Sequence, residues 1–281
     1  MRRIASRYIA GETLPEALTQ IQALAQRGHA AILDILGEDV TTPEGALGVA
    51  NLYLAAAEQL AQTKLDCYVS VKPTHVGLRL GEALALQGYQ RIAAHLMRLG
   101  LFLRVEMEDH TTTDATLRVF EVLAREFENV GIVLQSRLLR TPKDIQRLAE
   151  LGPINVRLVK GIYLEPAAIA HVDPKAIRDA YLECSRLLLD QGAFVSYATH
   201  DAPMADDVLA QLRERQLTSE RYEFQVLLGV QEHLWAKWKQ AGHAVRVYVP
   251  YGPEWRPYSL RRLKKNPEIL GHVMRAALGL S

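Results

Sequence analysis

The chain is 281 residues long, 49% hydrophobic and 23% charged, with a formal net charge of +1; this is the mix of a globular protein with a sizeable core, not of a disordered or nucleic-acid-binding one. Two cysteines, Cys67 and Cys184, in no CxxC spacing, suit a reducing compartment and give no metal framework, and no stretch approaches the ~20 apolar residues of a membrane span. The basic opening Met1-Arg2-Arg3 lacks an apolar run behind it and no Ser/Gly-rich linker marks a seam, so a single domain over 1–281 without a secretory signal is expected.

In chain order, short runs rich in β-branched and apolar residues fall at Ala30 to Leu36, Cys67 to Val71, Leu101 to Val105, Val130 to Leu134, Ile154 to Val159, Phe194 to Ala198, Tyr222 to Leu228 and Ala244 to Val249. Amphipathic stretches lie between them, among them Ala46 to Gln62, Gly81 to Arg98, Pro174 to Leu189 and Met204 to Arg213. Eight such strands, each separated by room for a crossover helix, predict an α/β fold: a closed (β/α)8 barrel of the TIM type. The competitor is an open doubly wound sheet, but no G-x-G-x-x-G follows any strand. A last helix is predicted from Pro257 or Tyr258 to about Leu278, carried over the barrel mouth.

Each strand ends in residues able to do chemistry, at the tip where barrel enzymes build their sites. These are Glu38, Lys72, Glu106, Gln135, Arg157 with Lys160, Thr199 with His200 and Asp201, Gln225, and Tyr248. Singly each is an ordinary solvated loop residue; a barrel brings them to one mouth. At the opening of the last helix, Tyr258-Ser259-Leu260-Arg261-Arg262 adds two adjacent guanidinium groups, whose planar forks match a carboxylate two bonds at a time. A mouth lined by Lys72, Arg157, Lys160, Arg261 and Arg262 predicts an anionic ligand: a sugar phosphate, a nucleotide-like cofactor or an amino acid carboxylate, between which spacing does not choose.

The choice comes from resemblance. Ser70-Val71-Lys72-Pro73, Arg104-Val105-Glu106-Met107-Glu108-Asp109, Val133-Leu134-Gln135, Arg157-Leu158-Val159-Lys160-Gly161-Ile162-Tyr163, Ala198-Thr199-His200-Asp201, Tyr222-Glu223-Phe224-Gln225-Val226-Leu227, Arg246-Val247-Tyr248-Val249-Pro250 and Tyr258-Ser259-Leu260-Arg261-Arg262 resemble the successive strand-end motifs of the proline dehydrogenase family, in that family's order. The resemblance implies a distorted β/α barrel carrying non-covalent FAD that oxidises L-proline to 1-pyrroline-5-carboxylate. It also implies electron transfer to a membrane quinone, hence a cytoplasmic protein touching the inner face of the membrane, and a separate pyrroline-carboxylate dehydrogenase to take the product. No nucleic-acid partner and no metal are expected.

Carried over to this chain, the resemblance makes Lys72, Arg261 and Arg262 the clamp on the proline carboxylate, with Tyr163, Tyr248, Tyr258 and Leu227 walling the pyrrolidine ring. Met107, Gln135, Arg157, Lys160, Gly161, Ile162, Thr199 and His200 match cofactor-contacting positions. Arg157, beside the reacting edge of the flavin, and Glu106, at the position of a family aspartate, are the implied catalytic residues, Glu106 more as an ion-pair partner of Lys72 or Arg157 than as a base. Glu38 matches a residue that pairs with the first active-site arginine, so a gate of Glu38 and Arg261 is expected. Tyr248 leaves little space for a hydroxyl on the ring, which favours proline over hydroxyproline. Three positions depart from the family pattern: Glu106 for aspartate, Ile162 for alanine, and Arg137 near the aromatic position of a Q-A-Y motif. The alternatives are a barrel lyase or aldolase with Lys160 or Lys72 as Schiff base, and a degenerate flavin-binding barrel without proline turnover.

Overall fold

The computed structural model of the protein describes residues 8–255. Eight parallel strands follow one another in chain order around a closed barrel: β1 (Ala30–Ile35), β2 (Cys67–Val71), β3 (Leu103–Val105), β4 (Val130–Gln135), β5 (Asn155–Val159), β6 (Phe194–Ala198), β7 (Tyr222–Leu227) and β8 (Val245–Tyr251). The helices among the described residues are α1 (Leu14–Gln26), α2 (Pro43–Thr63), α3 (Glu82–Arg98), α4 (His110–Glu126), α5 (Thr141–Leu148), α6 (Pro174–Asp190), α7 (Ala202–Glu214) and α8 (Glu232–Gln240). None of them is long and apolar enough to cross a membrane. The described residues cluster into two compact units, one of 8–131 with 227–230 and 247–255, the other of 132–226 with 231–246.

In the first unit, β1, β2 and β3 pair in a register that sets Asp34 beside Ser70 and Ser70 beside Arg104. Residues in register on parallel strands share a face, so this face carries a fully buried polar layer where a barrel interior is ordinarily filled by Val, Ile and Leu. The guanidinium carbon of Arg104 lies 5.7 Å over the Tyr68 ring and 5.1 Å over that of Phe102, contacts that offset part of the cost of burying the cation. The opposite face, with Val69 and Leu103, is apolar and packs toward the helices.

In the second unit the register aligns Val133, Arg157, Ser196 and Glu223. The alternate residues turn toward the helices: Phe224 stacks on Trp238 of α8 at 4.4 Å, and the Tyr197 hydroxyl meets Ser185 of α6 at 3.0 Å. Helices also grip strand ends by side-chain donors. The hydroxyls of Tyr53, Tyr89 and Tyr181 donate to the carbonyls of Ile35, Val71 and Leu158 at 3.4, 2.8 and 3.1 Å. These fully buried phenols, pushed well above their ordinary pKa by burial, stay neutral donors and fix the backbone just before the chain enters the loops that carry Glu38, Lys72 and Lys160.

Candidate functional site

In the first unit, β2 ends at Val71 and the chain turns directly into a 3-10 helix, Pro73–Val76, that closes on Gly77 at φ +92°. Lys72 sits at the joint, buried, its Nζ donating to the Gly37 carbonyl at 3.4 Å and lying 3.9 Å from Glu38 Oε2. The turn also carries His75, whose ring packs so closely on Gly37 that a Cβ there would lie 2.1 Å from Nε2; only glycine fits beneath it. Tyr53 meets the same ring edge-on at 6.1 Å. Glu108 ties the turn to the end of β3 by accepting from the Thr74 amide and hydroxyl, both at 2.9 Å. Burial pushes the Glu108 carboxyl up to about 6, against the lowering pull of the Thr74 donors and of Lys72. Glu106 is half-buried and accepts the Ser70 hydroxyl. Met107 is buried, while Leu227 and Tyr248 are half-buried and joined through the Leu228 amide, which donates to the Tyr248 carbonyl at 3.1 Å.

His75 gives this cluster a pH signature. Burial, reinforced by the charge of Lys72, pushes its imidazole down to about 4. The folded state therefore binds this proton more weakly than the unfolded chain does, so the contribution is complete above pH ~6.5 and is lost as pH falls toward 4, about 3 kcal/mol in all. The stability difference between the protein and a His75→Gln variant, from urea unfolding, is expected to shrink by that order between pH 7 and pH 4. A difference that stays constant over this range would contradict the assignment.

In the second unit, Arg157 projects from β5 with 4% of its surface exposed, its Nε donating to Gln225 Oε1 at 2.5 Å. Gln225 Nε2 in turn donates to Glu223 Oε1 at 2.5 Å, and Glu223 also takes the Ser196 hydroxyl at 3.1 Å and Arg246 Nε at 2.9 Å. The chain Arg246, Glu223, Gln225, Arg157 alternates donors and acceptors, so the Arg157 guanidinium is held in one plane by buried neighbours. Beyond β5, Lys160 Nζ lies 2.6 Å from Asp201 Oδ2, and Asp201 caps α7 by accepting the Met204 amide at 3.1 Å. Burial raises the Asp201 carboxyl, but Lys160 and the Met204 amide outweigh it and leave the group below its ordinary value. Thr199 is buried and its Oγ1 takes the Asp201 amide at 3.0 Å; His200, next in the chain, is half-buried. Gly161 has φ +106°, and a Cβ there would meet Arg137 Cδ at 2.8 Å and Gln135 Oε1 at 2.9 Å, so conformation and space both require glycine. Ile162 is exposed and Tyr163 half-buried.

The structure thus places Glu38, Lys72, Glu106, Met107, Leu227 and Tyr248 in the first unit and Gln135, Arg157, Lys160, Gly161, Ile162, Tyr163, Thr199 and His200 in the second. Tyr258, Arg261, Arg262 and the expected last helix lie outside the described residues. The first group offers a buried ammonium beside a carboxylate, suited to a small carboxylic acid. The second offers a rigid buried cation, the buried amides of Gln135 and Gln225, a Gly161 turn without side chain, and the buried Ser136 hydroxyl, which has no hydrogen-bond partner among the described residues. That donor set fits an extended, polar, anionic cofactor such as FAD. The second-rank supports were not anticipated. Glu223 was nevertheless signalled by the alternation Tyr222-Glu223-Phe224-Gln225, which puts a charge on one face of a strand predicted to be buried. His75 and Glu108 carry no comparable signal, since their roles arise from packing across strands.

Comparison with known proteins agrees with the expected family. The profile of the family described as proline dehydrogenase matches residues 17–275. The chain is 36% identical to the proline dehydrogenase of Deinococcus radiodurans, over 99% of this chain and 91% of that protein. It is 33% identical to proline dehydrogenase 1 of Bacillus subtilis, over 98% and 90%. Among solved structures, proline utilization A from Bdellovibrio bacteriovorus, inactivated by N-propargylglycine, superposes with a TM-score of 0.85 at 23% identity over 93% of this chain. Proline utilization A from Corynebacterium freiburgense does so with a TM-score of 0.81 at 20% identity over 99%. This chain covers about a third, 32%, of each of those two longer chains, so they bear on its fold.

Proposed function

The chain belongs to the proline dehydrogenase family and is an enzyme of that activity, and we propose that it oxidises L-proline to 1-pyrroline-5-carboxylate with non-covalent FAD, passing the electrons to a quinone. The observation that carries the cofactor reading is Arg157, a cation with 4% exposure locked by Gln225 within a hydrogen-bonded chain. When bound, FAD would supply the two-electron acceptor for oxidation of the proline carbon next to nitrogen.

The protein's own residues bind, orient and tune. Lys72, with Arg261 and Arg262, takes the substrate carboxylate, because charge-assisted contacts from cations fix both position and orientation. Tyr163, Tyr248, Tyr258 and Leu227 wall the ring. Arg157 would hold fixed positive charge against the cofactor, a preorganised cation that need not reorient during the reaction. Met107, Gln135, Lys160, Gly161, Ile162, Thr199 and His200 complete the cofactor contacts. Proline would react as the neutral amine, its ammonium proton passing to solvent beforehand and hydride loss leaving the protonated imine, so no protein base is required and Glu106 serves by position and charge. Glu38 works with Arg261 as the gate. The protein is expected in the cytoplasm, touching the inner membrane surface where its quinone lies, with a separate pyrroline-carboxylate dehydrogenase consuming the product.

Turnover of L-proline and of trans-4-hydroxyproline with a soluble dye as acceptor tests this reading. Proline is expected to be preferred by about tenfold to a hundredfold in kcat/KM, since a hydroxyl pressed against the half-buried Tyr248 ring loses its water without a partner. A preference for hydroxyproline would overturn the role of Tyr248, and turnover of neither would overturn the substrate.

A further inference from the structure

We propose that Arg137 is a positioning residue that latches the 160–173 segment and thereby sets Lys160, Gly161, Ile162 and Tyr163 in place; the inference deepens the function proposed above and rests on it for what those four residues contact. The segment joins β5 to α6 without a helix or strand of its own, a length at which connections either have a function or lack fixed structure. Burial of large apolar side chains does little to hold it. Leu164 and Val172 are 70% and 57% exposed and Ile162 is 36% exposed, while Ala170 alone of the segment's apolar side chains is fully covered, so the larger apolar side chains, which would ordinarily pin a loop by the hydrophobic effect, contribute little.

Polar contacts from the loop after β4 bridge it instead. The Arg137 side chain is buried, with 9% exposure. Its Nη1 donates to the carbonyls of Tyr163 at 2.9 Å and Gly161 at 3.4 Å, near the start of the segment. Its Nη2 and Nε donate to the carbonyl of His171, near the end, at 3.3 and 3.4 Å. The Arg137 backbone repeats the pattern, its amide donating to the Lys160 carbonyl at 3.1 Å and its carbonyl accepting from the His171 amide at 2.8 Å. Leu139 donates to Ile169 at 2.9 Å, and Leu138 and Ala170 form an antiparallel bridge. One guanidinium therefore spans both ends of the segment, which only a planar fork of several donors can do; a lysine ammonium is a single point and a phenol has a single proton to give. The aliphatic part of the side chain is used as well, because it packs on Gly161, where an added Cβ would meet Arg137 Cδ at 2.8 Å. Arg137 stands near the aromatic position of the Q-A-Y motif in this chain's resemblance, and an aromatic side chain has no fork to bridge the two ends of the segment.

Arg137→Lys keeps the charge and removes the fork, and Arg137→Gln removes both. Amide hydrogen exchange over 160–173 reads the latch without any cofactor. FAD affinity by fluorescence, and KM against kcat for proline, read the positioning. In both variants exchange at the bonded amides of Ile169, Ala170 and His171 is expected to accelerate about tenfold to a hundredfold, with FAD binding weakened by a similar factor and exchange in α6 and α7 unchanged. Unchanged exchange in folded Arg137→Gln would overturn the latch, and wild-type behaviour in Arg137→Lys would overturn the argument from the fork. Faster exchange with unaltered FAD affinity and KM would overturn the positioning role. If the wild-type protein bound no FAD at all, the proposed function would fail, and the exchange result would still decide whether Arg137 latches the segment.

Discussion

Lys72→Met is expected to lower kcat/KM for L-proline by about a hundredfold to a thousandfold, mostly through KM, because it deletes one partner of a charge-assisted contact made in the ground state and transition state alike. Methionine keeps the length and the burial of the stem, so the 3-10 turn and its neighbours Gly37 and His75 need not move. The ammonium lies 3.4 Å from the Gly37 carbonyl and 3.9 Å from Glu38. Glu38 then competes with substrate for the same cation. Glu38→Ala is therefore expected to change proline affinity and turnover, and the double variant to show less than the sum of the single losses, as contacting partners do. An unchanged KM in Lys72→Met would remove Lys72 from the carboxylate clamp.

Arg157→Met acts on the other half of the reaction. It is expected to reduce kcat by about a hundredfold to a thousandfold, the loss typical of removing one preorganised donor from where charge develops. It should also lower the midpoint potential of bound FAD by about 30 mV for each tenfold weakening of the reduced cofactor relative to the oxidised one, the two-electron relation. The two variants are thus separable: Lys72→Met moves KM and leaves the potential alone, whereas Arg157→Met moves kcat and the potential together. The buried chain behind Arg157 keeps the cation from relaxing away from its place, since Gln225 holds its Nε and Glu223 with Arg246 holds Gln225. A potential unchanged by Arg157→Met would place the cation away from the cofactor's reacting edge.

Much of the fold was legible because parallel strands buried on both sides announce themselves by composition. Cys67–Val71 and Phe194–Ala198 coincide with their predicted runs. The run from Leu101 starts later, at Leu103, because the Leu101 carbonyl is taken by the Asn129 side chain at 2.9 Å, an end contact that no periodicity encodes. The last strand continues past Val249 to Tyr251, where the Leu36 amide donates to the Tyr251 carbonyl at 2.8 Å. Helix α2 begins at Pro43, ahead of the predicted Ala46, with Thr42 as its cap accepting the Gly45 amide at 3.1 Å. That start was readable from Thr42-Pro43-Glu44, a cap followed by proline at the first helical position. So was α1, whose Thr13 and Glu16 form a capping box.

At the site, residues on strand tips were legible and their supports were not. Lys72 and Arg157 follow from strand ends alone. That Arg157 is held by Gln225 and Glu223 depends on the β5 to β7 register, and that His75 covers Gly37 depends on a turn of four residues, Pro73–Val76. Arg137 read as a departure from a motif, and its meaning emerges only when the 160–173 segment is folded back upon it.

Anaerobic addition of L-proline to the FAD-loaded protein, followed by visible absorption, tests the central claim most directly. Loss of the oxidised-flavin bands in proportion to proline, with 1-pyrroline-5-carboxylate as product, is the expected result. A protein that binds FAD but keeps its full absorption in the presence of proline would contradict the substrate, and one that binds no FAD would contradict the cofactor.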